Sequence, residues 1–259
     1  MLALCCFSLR CFSLDCFSLH GFLLRHRLRR AALVASVGLG ALCHADDQVV
    51  DKVYHPYVDA LTTEFSARST FQDPQSEPNI AQAHQVALGH SIGARNFAEL
   101  HLLGSRDRAG TFTTDALQVE VKRQLTEQGE YAADWAVLVE YESNLHINAK
   151  EFAVGLITER EFGRWSGTGN LFLINEWGRD TKHEFEAILA LQARYRYQRE
   201  LEPTLEFYAG QGTRAFGPVL QGDIRMGTRK KLHWESGVLF GLDQPSPTKT
   251  WRLLFEYDF

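Results

Sequence analysis

Serine and histidine are the residues of this 259-residue chain that could supply a nucleophile and its general base. Side chains at i and i+2 of a β-strand share a face, so a catalytic pair on one strand would have the spacing His-x-Ser. Residues 46–259 contain no such spacing. His90 and Ser91 would face opposite ways, and the same-face neighbours of Ser236 are Trp234 and Val238. The sequence predicts no catalytic group, and leaves open only one assembled across strands.

Histidine and acidic side chains could also ligate metal ions. His84 and His90 would share a strand face, but they would stand about 20 Å apart, too far to share an ion. Acidic residues near Asp180 and Asp243 could hold Ca²⁺, but solvated loop charges are the simpler interpretation. We interpret Gly210 and Gly212 as a flexible loop at a strand end and not as a phosphate-binding turn. We therefore expect no metal and no cofactor.

Cysteine and charge divide the chain in two. All five cysteines lie within the first 43 residues. The first 45 residues hold five of the 27 Lys and Arg and one of the 32 acidic residues, which leaves 22 basic and 31 acidic residues and a net charge of −9 after Ala45. An acidic, cysteine-free body excludes a disulfide framework and thiolate metal sites. It also offers no basic surface for nucleic acid.

The first 45 residues predict export. Residues 25–30 are rich in Arg, residues 31–43 are uncharged and mostly apolar, and Ala45 precedes Asp46. This order is typical of a secretory signal peptide, here residues 24–45, cleaved between Ala45 and Asp46. Residues 1–23 repeat Cys-Phe-Ser-Leu with a period of five, which fits no structural repeat, so we interpret them as an extension upstream of the true start. Residues 46–58 form a periplasmic lead-in, either disordered or tucked into the mouth of the domain that follows.

Residues 59–259 alternate apolar and polar side chains with a period of two, which predicts strands throughout. Most of these segments exceed the five or six residues typical of globular proteins. Short connections, such as 128–129, alternate with longer ones, such as 211–217. Together with an even strand count, this pattern indicates an all-β fold, a closed antiparallel transmembrane β-barrel of about 12 strands. The predicted strands are 59–72, 82–93, 96–105, 113–126, 130–142, 150–163, 165–177, 183–198, 203–212, 218–229, 231–242 and 249–259.

The apolar rows begin and end with large aromatic side chains. Eight residues of tilted strand rise about 20 Å, close to the ~25 Å apolar band of outer-membrane barrels. Aromatic rings at both edges of that band would lie at the lipid headgroups. The alternative is a soluble β-sandwich in which the same rows form the core. The predicted aromatic girdle comprises Tyr131, Trp135, Tyr141, Trp165, Trp177 and Trp251.

The opposite rows carry many charged side chains, which a soluble core could bury only with complete pairing. In a barrel these groups line the lumen, where they either pair and close the bore or select small ions and solutes at a constriction. Phe172 and Ile174 interrupt the polar row and predict that part of the interior is packed and dry. The predicted lumen charge cluster comprises Glu186, Arg194, Arg196, Glu206, Asp223, Arg225, Glu235, Arg252 and Glu256.

The ending WRLLFEYDF, residues 251–259, resembles the closing strand of Gram-negative outer-membrane β-barrel proteins, which alternates aromatic or aliphatic residues and ends in Phe. The resemblance implies that Phe255, Tyr257 and Phe259 are read by the barrel assembly machinery and that the barrel lies in outer-membrane lipid. Residues 46–259 also resemble an uncharacterised proteobacterial barrel group. The chain also has a distant likeness to copper-resistance outer-membrane barrels. It lacks their Met/His-rich segments, since residues 46–259 have one methionine, Met226, and seven scattered histidines. This departure weighs against a copper role.

Three functions agree with these observations. A small channel or transporter for ions or solutes is favoured, and a non-conducting structural or interaction barrel with a filled lumen follows closely. An outer-membrane enzyme that modifies lipid ranks third, because no catalytic spacing is present.

Overall fold

The computed structural model describes residues 49–73 and 80–259, which form twelve β-strands. The predicted strand number is confirmed. Within those residues no helix is long and apolar enough to cross a membrane. The strands are β1 (Thr63–Gln72), β2 (Ile80–Ile92), β3 (Asn96–Asp107), β4 (Phe112–Gln124), β5 (Asp134–Asn144), β6 (Ala149–Phe162), β7 (Trp165–Gly178), β8 (Glu184–Tyr195), β9 (Glu202–Gly210), β10 (Thr213–Arg225), β11 (Lys231–Gly241) and β12 (Lys249–Asp258).

Each strand pairs antiparallel with its neighbours in sequence, and β1 pairs with β12 to close the barrel. In the closing ladder Phe65 lies opposite Tyr257, and Phe71 lies opposite Trp251. Two backbone bonds between Thr63 and Phe259 extend the ladder by one further pair. The expected closed antiparallel barrel is thus confirmed. The even strand number brings Thr63 and Asp258 to one end of the barrel, the termini end; the opposite end is the distal end.

The apolar side of every strand faces outward. On β5, Trp135, Val139 and Tyr141 are exposed, while the alternating Ala136 and Leu138 are completely buried inside the barrel. Leu88 and Leu100, on β2 and β3, are 58% and 55% exposed. Apolar surface on this scale marks contact with a membrane or a partner. The soluble sandwich, which needs these rows in its core, is wrong.

Two connections differ from the sequence prediction. A two-residue turn, residues 211–212, replaces the long loop expected over 211–217, and β10 continues through Pro218. The ladder between β10 and β11 passes over Gly217 and Pro218 without a change of register, which accommodates a residue that lacks an N–H. The connection at residues 125–133 is longer than expected and contains Tyr131. The predicted alternation of short and long connections is therefore wrong at these two places.

The barrel interior is packed at two levels, and both levels include residues that precede β1. One apolar cluster contains Val49, Val50 and Val53 against Tyr208 and Leu239. The other contains Tyr54 against Leu138, Ile157 and Phe172, which agrees with the predicted dry region around Phe172. The interior of the barrel is therefore filled in part by the chain that leads into it. We call residues 49–62 the inner segment.

Candidate functional site

The inner segment runs along the lumen from one end to the other. Near the termini end, the Tyr57 hydroxyl donates to Asp134 at 2.9 Å, and the Val58 N–H donates to Gln124 Oε1 at 2.9 Å. Near the distal end, Val49 lies against Gly210, where an added Cβ would meet Val49 Cγ2 at 2.8 Å. The eight residue steps between Val49 and Tyr57 span about 26 Å when extended, which is the height of the apolar band. The disordered lead-in considered from the sequence is wrong for these residues.

Asn170 on β7 binds the middle of the inner segment as a neighbouring strand would. Its Oδ1 accepts from the Tyr54 N–H at 2.7 Å, and its Nδ2 donates to the Tyr54 carbonyl at 2.9 Å. The Tyr54 hydroxyl donates to Glu120 at 2.9 Å, and the Tyr54 ring lies 5.7 Å from that of Phe172. One side chain thus satisfies both backbone groups of a buried residue outside any sheet.

Arg252 holds the segment at a second level. Its guanidinium is completely buried, with its Nη2 2.9 Å from Glu206 and 2.7 Å from Glu235. It also donates to the Asp51 carbonyl and to the Tyr208 hydroxyl. Two carboxylates for one cation satisfy the condition under which a buried ion pair is tolerated, namely close geometry with further hydrogen bonds.

Two further ion pairs and a contact between a histidine and a carboxylate attach the segment to the wall. Asp51 lies 2.7 Å from Arg68, and Lys52 lies 3.0 Å from Glu256. His55 Nδ1 lies 2.6 Å from Glu159, which is buried on β6. The charged groups of the lumen are therefore engaged with the segment as well as with each other.

The predicted lumen charge cluster divides into groups. Arg252, Glu206 and Glu235 meet, and His233 joins them to Asp223, with ring nitrogens 3.2 Å from Glu235 and 2.8 Å from Asp223. The remaining members do not join this group. Arg194 pairs with Glu159 and Glu202, Arg196 pairs with Glu161 where both are partly exposed, and Glu256 pairs with Lys52. Glu186 lines a cavity, and Arg225 is exposed at the end of β10.

A cavity of about 500 Å³ lies between the inner segment and the wall toward the distal end. Its lining contains three cationic side chains, Lys52, Arg68 and Lys150. The acidic side chains of the lining outnumber them. The acidic lining residues are Asp51, Asp115, Glu140, Glu142, Glu151, Glu176 and Glu186.

Members of the predicted girdle lie near both ends of the barrel. Trp165 lies beside Tyr195 at the termini end, with ring centroids 5.0 Å apart and the rings tilted, and Tyr141 lies 6.4 Å from Trp177 at the distal end. Trp251 lies beside Phe71 near the distal end, whereas Trp135 and Tyr131 belong to the termini end. All but Trp177 expose more than a third of their surface.

The three residues of the predicted assembly signal lie on the outward face where the barrel closes. Phe255 is on β12 and lies opposite Ala67, and Tyr257 stacks on Phe259 with ring centroids 5.8 Å apart. The predicted cleavage position, Ala45 and Asp46, lies outside the described residues.

One group in the lumen has the composition of a metal site. Glu99, His101 and Glu120 are buried, and one donor atom from each lies within 4.8 Å of the other two. Sequence analysis missed His101 and paired only His84 with His90. The sequence does indicate part of this group, because the spacing Glu99-x-His101 puts both side chains on one face of a strand. The position of Glu120 opposite them follows only from the register of the ladder between β3 and β4.

No protein-family model and no curated protein matches the chain. Among solved structures, the COG4313 outer membrane channel from Pseudomonas putida F1 is similar with a TM-score of 0.52 and 14% identity, covering 83% of this chain and 99% of that chain. The KdgM porin has a TM-score of 0.49 and 12% identity, covering 76% and 99%, and the NanC porin has 0.46 and 13%, covering 75% and 98%. The likeness to the Pseudomonas putida structure shows the fold: this chain is a closed β-barrel of the outer-membrane type.

Proposed function

We propose that the protein is an outer-membrane channel for small cations or cationic solutes, closed by its own inner segment. The main support is that residues 49–58 run the length of the lumen beside an acid-lined cavity. Side-chain contacts hold these residues in place, and they are not part of the β-sheet. Side-chain contacts can be exchanged one by one, so the segment can move while the hydrogen-bonded wall stays in place.

The outward apolar surface supports placement in a lipid bilayer. Barrels in the outer membrane have both termini on the periplasmic side and an apolar band of about 25 Å. The termini end would then face the periplasm, and the acid-lined cavity would face the exterior. Export through a signal peptide cleaved after Ala45 belongs to the same proposal. The similar Pseudomonas putida protein is an outer membrane channel, which agrees with the proposal.

Planar-bilayer recording tests the proposal. The full-length chain is expressed, and the exported barrel is purified from membranes, with and without a deletion of residues 49–58. We expect rare, brief openings from the intact protein and long-lived open states from the deletion variant. In a KCl gradient the reversal potential should show preference for K⁺, because acidic side chains dominate the cavity.

A matched pair of variants tests the selectivity. Glu151 and Glu176 lie opposite each other on β6 and β7 and both line the cavity. Glu151→Gln with Glu176→Gln should reduce the preference for K⁺. Glu130→Gln, in the connection at residues 125–133 at the other end, should leave it unchanged.

The alternative, a non-conducting barrel, is favoured by one observation: the completely buried Arg252, whose two carboxylates and bond to the Asp51 carbonyl resist withdrawal of the segment. Silence from a deletion variant that is folded by circular dichroism and by heat-modifiable gel mobility would establish that alternative and remove the channel.

A further inference from the structure

Three side chains on β3 and β4 converge inside the barrel. Glu99 and His101 are two residues apart on β3 and therefore share its inward face. Glu120 lies directly opposite Glu99 in the ladder between β3 and β4. His101 Nε2 lies 3.9 Å from Glu99 Oε2 and 3.7 Å from Glu120 Oε2, and each residue is at most 5% exposed.

The convergence leaves polar atoms unsatisfied. Within the described residues, His101 Nε2 and Glu99 Oε1 are buried and have no hydrogen-bond partner. Buried polar groups are nearly always paired, and an unpaired one costs roughly 1–3 kcal/mol. An imidazole nitrogen without a partner, aimed between two buried carboxylates, indicates that something else completes the group.

We propose that Glu99, His101 and Glu120 bind a divalent transition-metal ion of the Zn²⁺ type. Zn²⁺ takes nitrogen and carboxylate oxygen at about 2.0–2.2 Å, so neighbouring ligand atoms of a tetrahedral site are about 3.4 Å apart. The distances of 3.7 and 3.9 Å from His101 need to shrink by a few tenths of an ångström, and the two carboxylate oxygens, which lie within 4.8 Å of each other, close on the ion by rotation of their side chains. A water molecule supplies the fourth position. The Tyr54 hydroxyl donates to Glu120 Oε2 at 2.9 Å and orients that carboxylate.

The charges agree with a dication. Two carboxylates and a neutral imidazole carry −2, which one divalent ion neutralises. Lys52 of the inner segment, 3.0 Å from Glu256 and 4.7 Å from the centre of the Tyr54 ring, also attracts Glu99 and Glu120 and offsets part of their charge when no metal is bound. An imidazole ligand also makes Mg²⁺ and Ca²⁺ poor occupants, since both prefer sets of oxygen ligands.

Gln85 on β2 sets the protonation of His101. Its Nε2 lies 2.7 Å from His101 Nδ1, while its Oε1 accepts from Arg68. A metal on Nε2 requires the proton on Nδ1, and hence an acceptor facing Nδ1. Metal binding therefore requires the Gln85 amide to turn over, which gives up its bonds to Arg68 and to Gln118 Oε1, 3.2 Å away, while Arg68 keeps Asp51 at 2.7 Å. Gln85→Glu would offer a permanent acceptor to both neighbours and should bind the metal more tightly.

Zn²⁺ titration calorimetry tests the site directly. The exported barrel is purified in detergent without a histidine tag, treated with a chelator, and titrated with Zn²⁺ in excess Mg²⁺ and Ca²⁺. We expect one ion per barrel. His101→Gln should weaken binding by at least about 100-fold, beyond the 10–100-fold typical of an outer-shell change, and Gln85→Glu should strengthen it. His84→Gln is the matched control, because His84 lies on the opposite face of β2 from Gln85 and bonds to Ser69.

Either of two results overturns the assignment: no uptake at micromolar Zn²⁺, or uptake that His101→Gln leaves unchanged. X-ray absorption of the Zn²⁺-loaded, unmutated barrel covers the case in which the variants do not fold. One imidazole with oxygen ligands near 2.0 Å supports the site, and a spectrum without imidazole refutes it. Neither measurement depends on whether the barrel conducts.

Discussion

At the scale of single residues, Arg252 makes the most contacts that organise the interior, because it joins two carboxylates of the wall to the inner segment. The period of two predicts its inward orientation, and the sequence places Glu206 and Glu235 in the same charged set. Sequence reasoning could not predict that these three meet while Arg194 and Arg196 join other carboxylates. Glu206, Glu235 and Arg252 lie on β9, β11 and β12, and whether they meet depends on the register of the ladders and on the length of each side chain. The hydrogen bond from Arg252 to the Asp51 carbonyl could not be predicted either, because residues 46–58 show no strand period that would place them in the lumen.

Arg252→Met should destabilise the barrel strongly. The substitution leaves Glu206 and Glu235 buried without their cation, a loss of about 3–5 kcal/mol in the free energy of unfolding. Guanidinium unfolding in detergent measures it. Arg196→Met is the matched control: its pair with Glu161 is about one-third exposed on each side, so its removal should cost no more than about 1 kcal/mol. Equal losses for the two variants would contradict the assigned role of Arg252.

At the scale of elements, the twelve strands follow from alternation, and the failures have local causes. Pro218 predicts a strand boundary from its residue type alone, but the ladder of β10 passes over it without a shift. The order of the inner segment is hidden from the sequence for a different reason. It is ordered by contacts with five or more strands, and such contacts leave no periodic signal in the segment itself.

Asn170→Ala should loosen the inner segment without harming the wall. The change removes both hydrogen bonds to the Tyr54 backbone and leaves two buried polar groups unpaired, at a cost of about 1–3 kcal/mol each. Limited proteolysis between residues 49 and 62, together with the frequency of channel openings, reports the effect. Asn175→Ala, on the outward face of the same strand, is the control. Indistinguishable digestion of the two variants would show that Asn170 does not hold the segment.

The closing strand carries a prediction about assembly. Phe259→Ala should lower the amount of barrel in the outer membrane of cells while leaving refolding in detergent unchanged, because the residue would be read by the assembly machinery. Phe216→Ala, another outward phenylalanine on β10, is the comparison. Immunoblotting of membrane fractions measures both. A parallel loss in cells and in detergent would assign Phe259 to stability instead.

At the scale of the whole molecule, the account depends on the outward face meeting hydrocarbon. Val154 lies midway along β6 on that face, and Leu145 lies in the connection at residues 145–148 at the distal end; both are exposed. Arg at the bilayer midplane costs about 2–4 kcal/mol, and at the interface about 0–1 kcal/mol. Val154→Arg should therefore impair folding into lipid vesicles far more than Leu145→Arg. Equal behaviour would indicate that water surrounds the barrel.

The closure of the lumen can be tested most directly by a reversible lock. Residues 46–259 contain no cysteine, and an added Cβ at Gly210 would touch Val49, so Val49→Cys with Gly210→Cys brings two thiols within disulfide reach. In the Asn170→Ala background, the account predicts frequent openings that vanish on oxidation and return with reductant, while Val49→Cys alone responds to neither. Openings that persist unchanged in the oxidised double-cysteine protein would contradict the claim that the inner segment closes the channel.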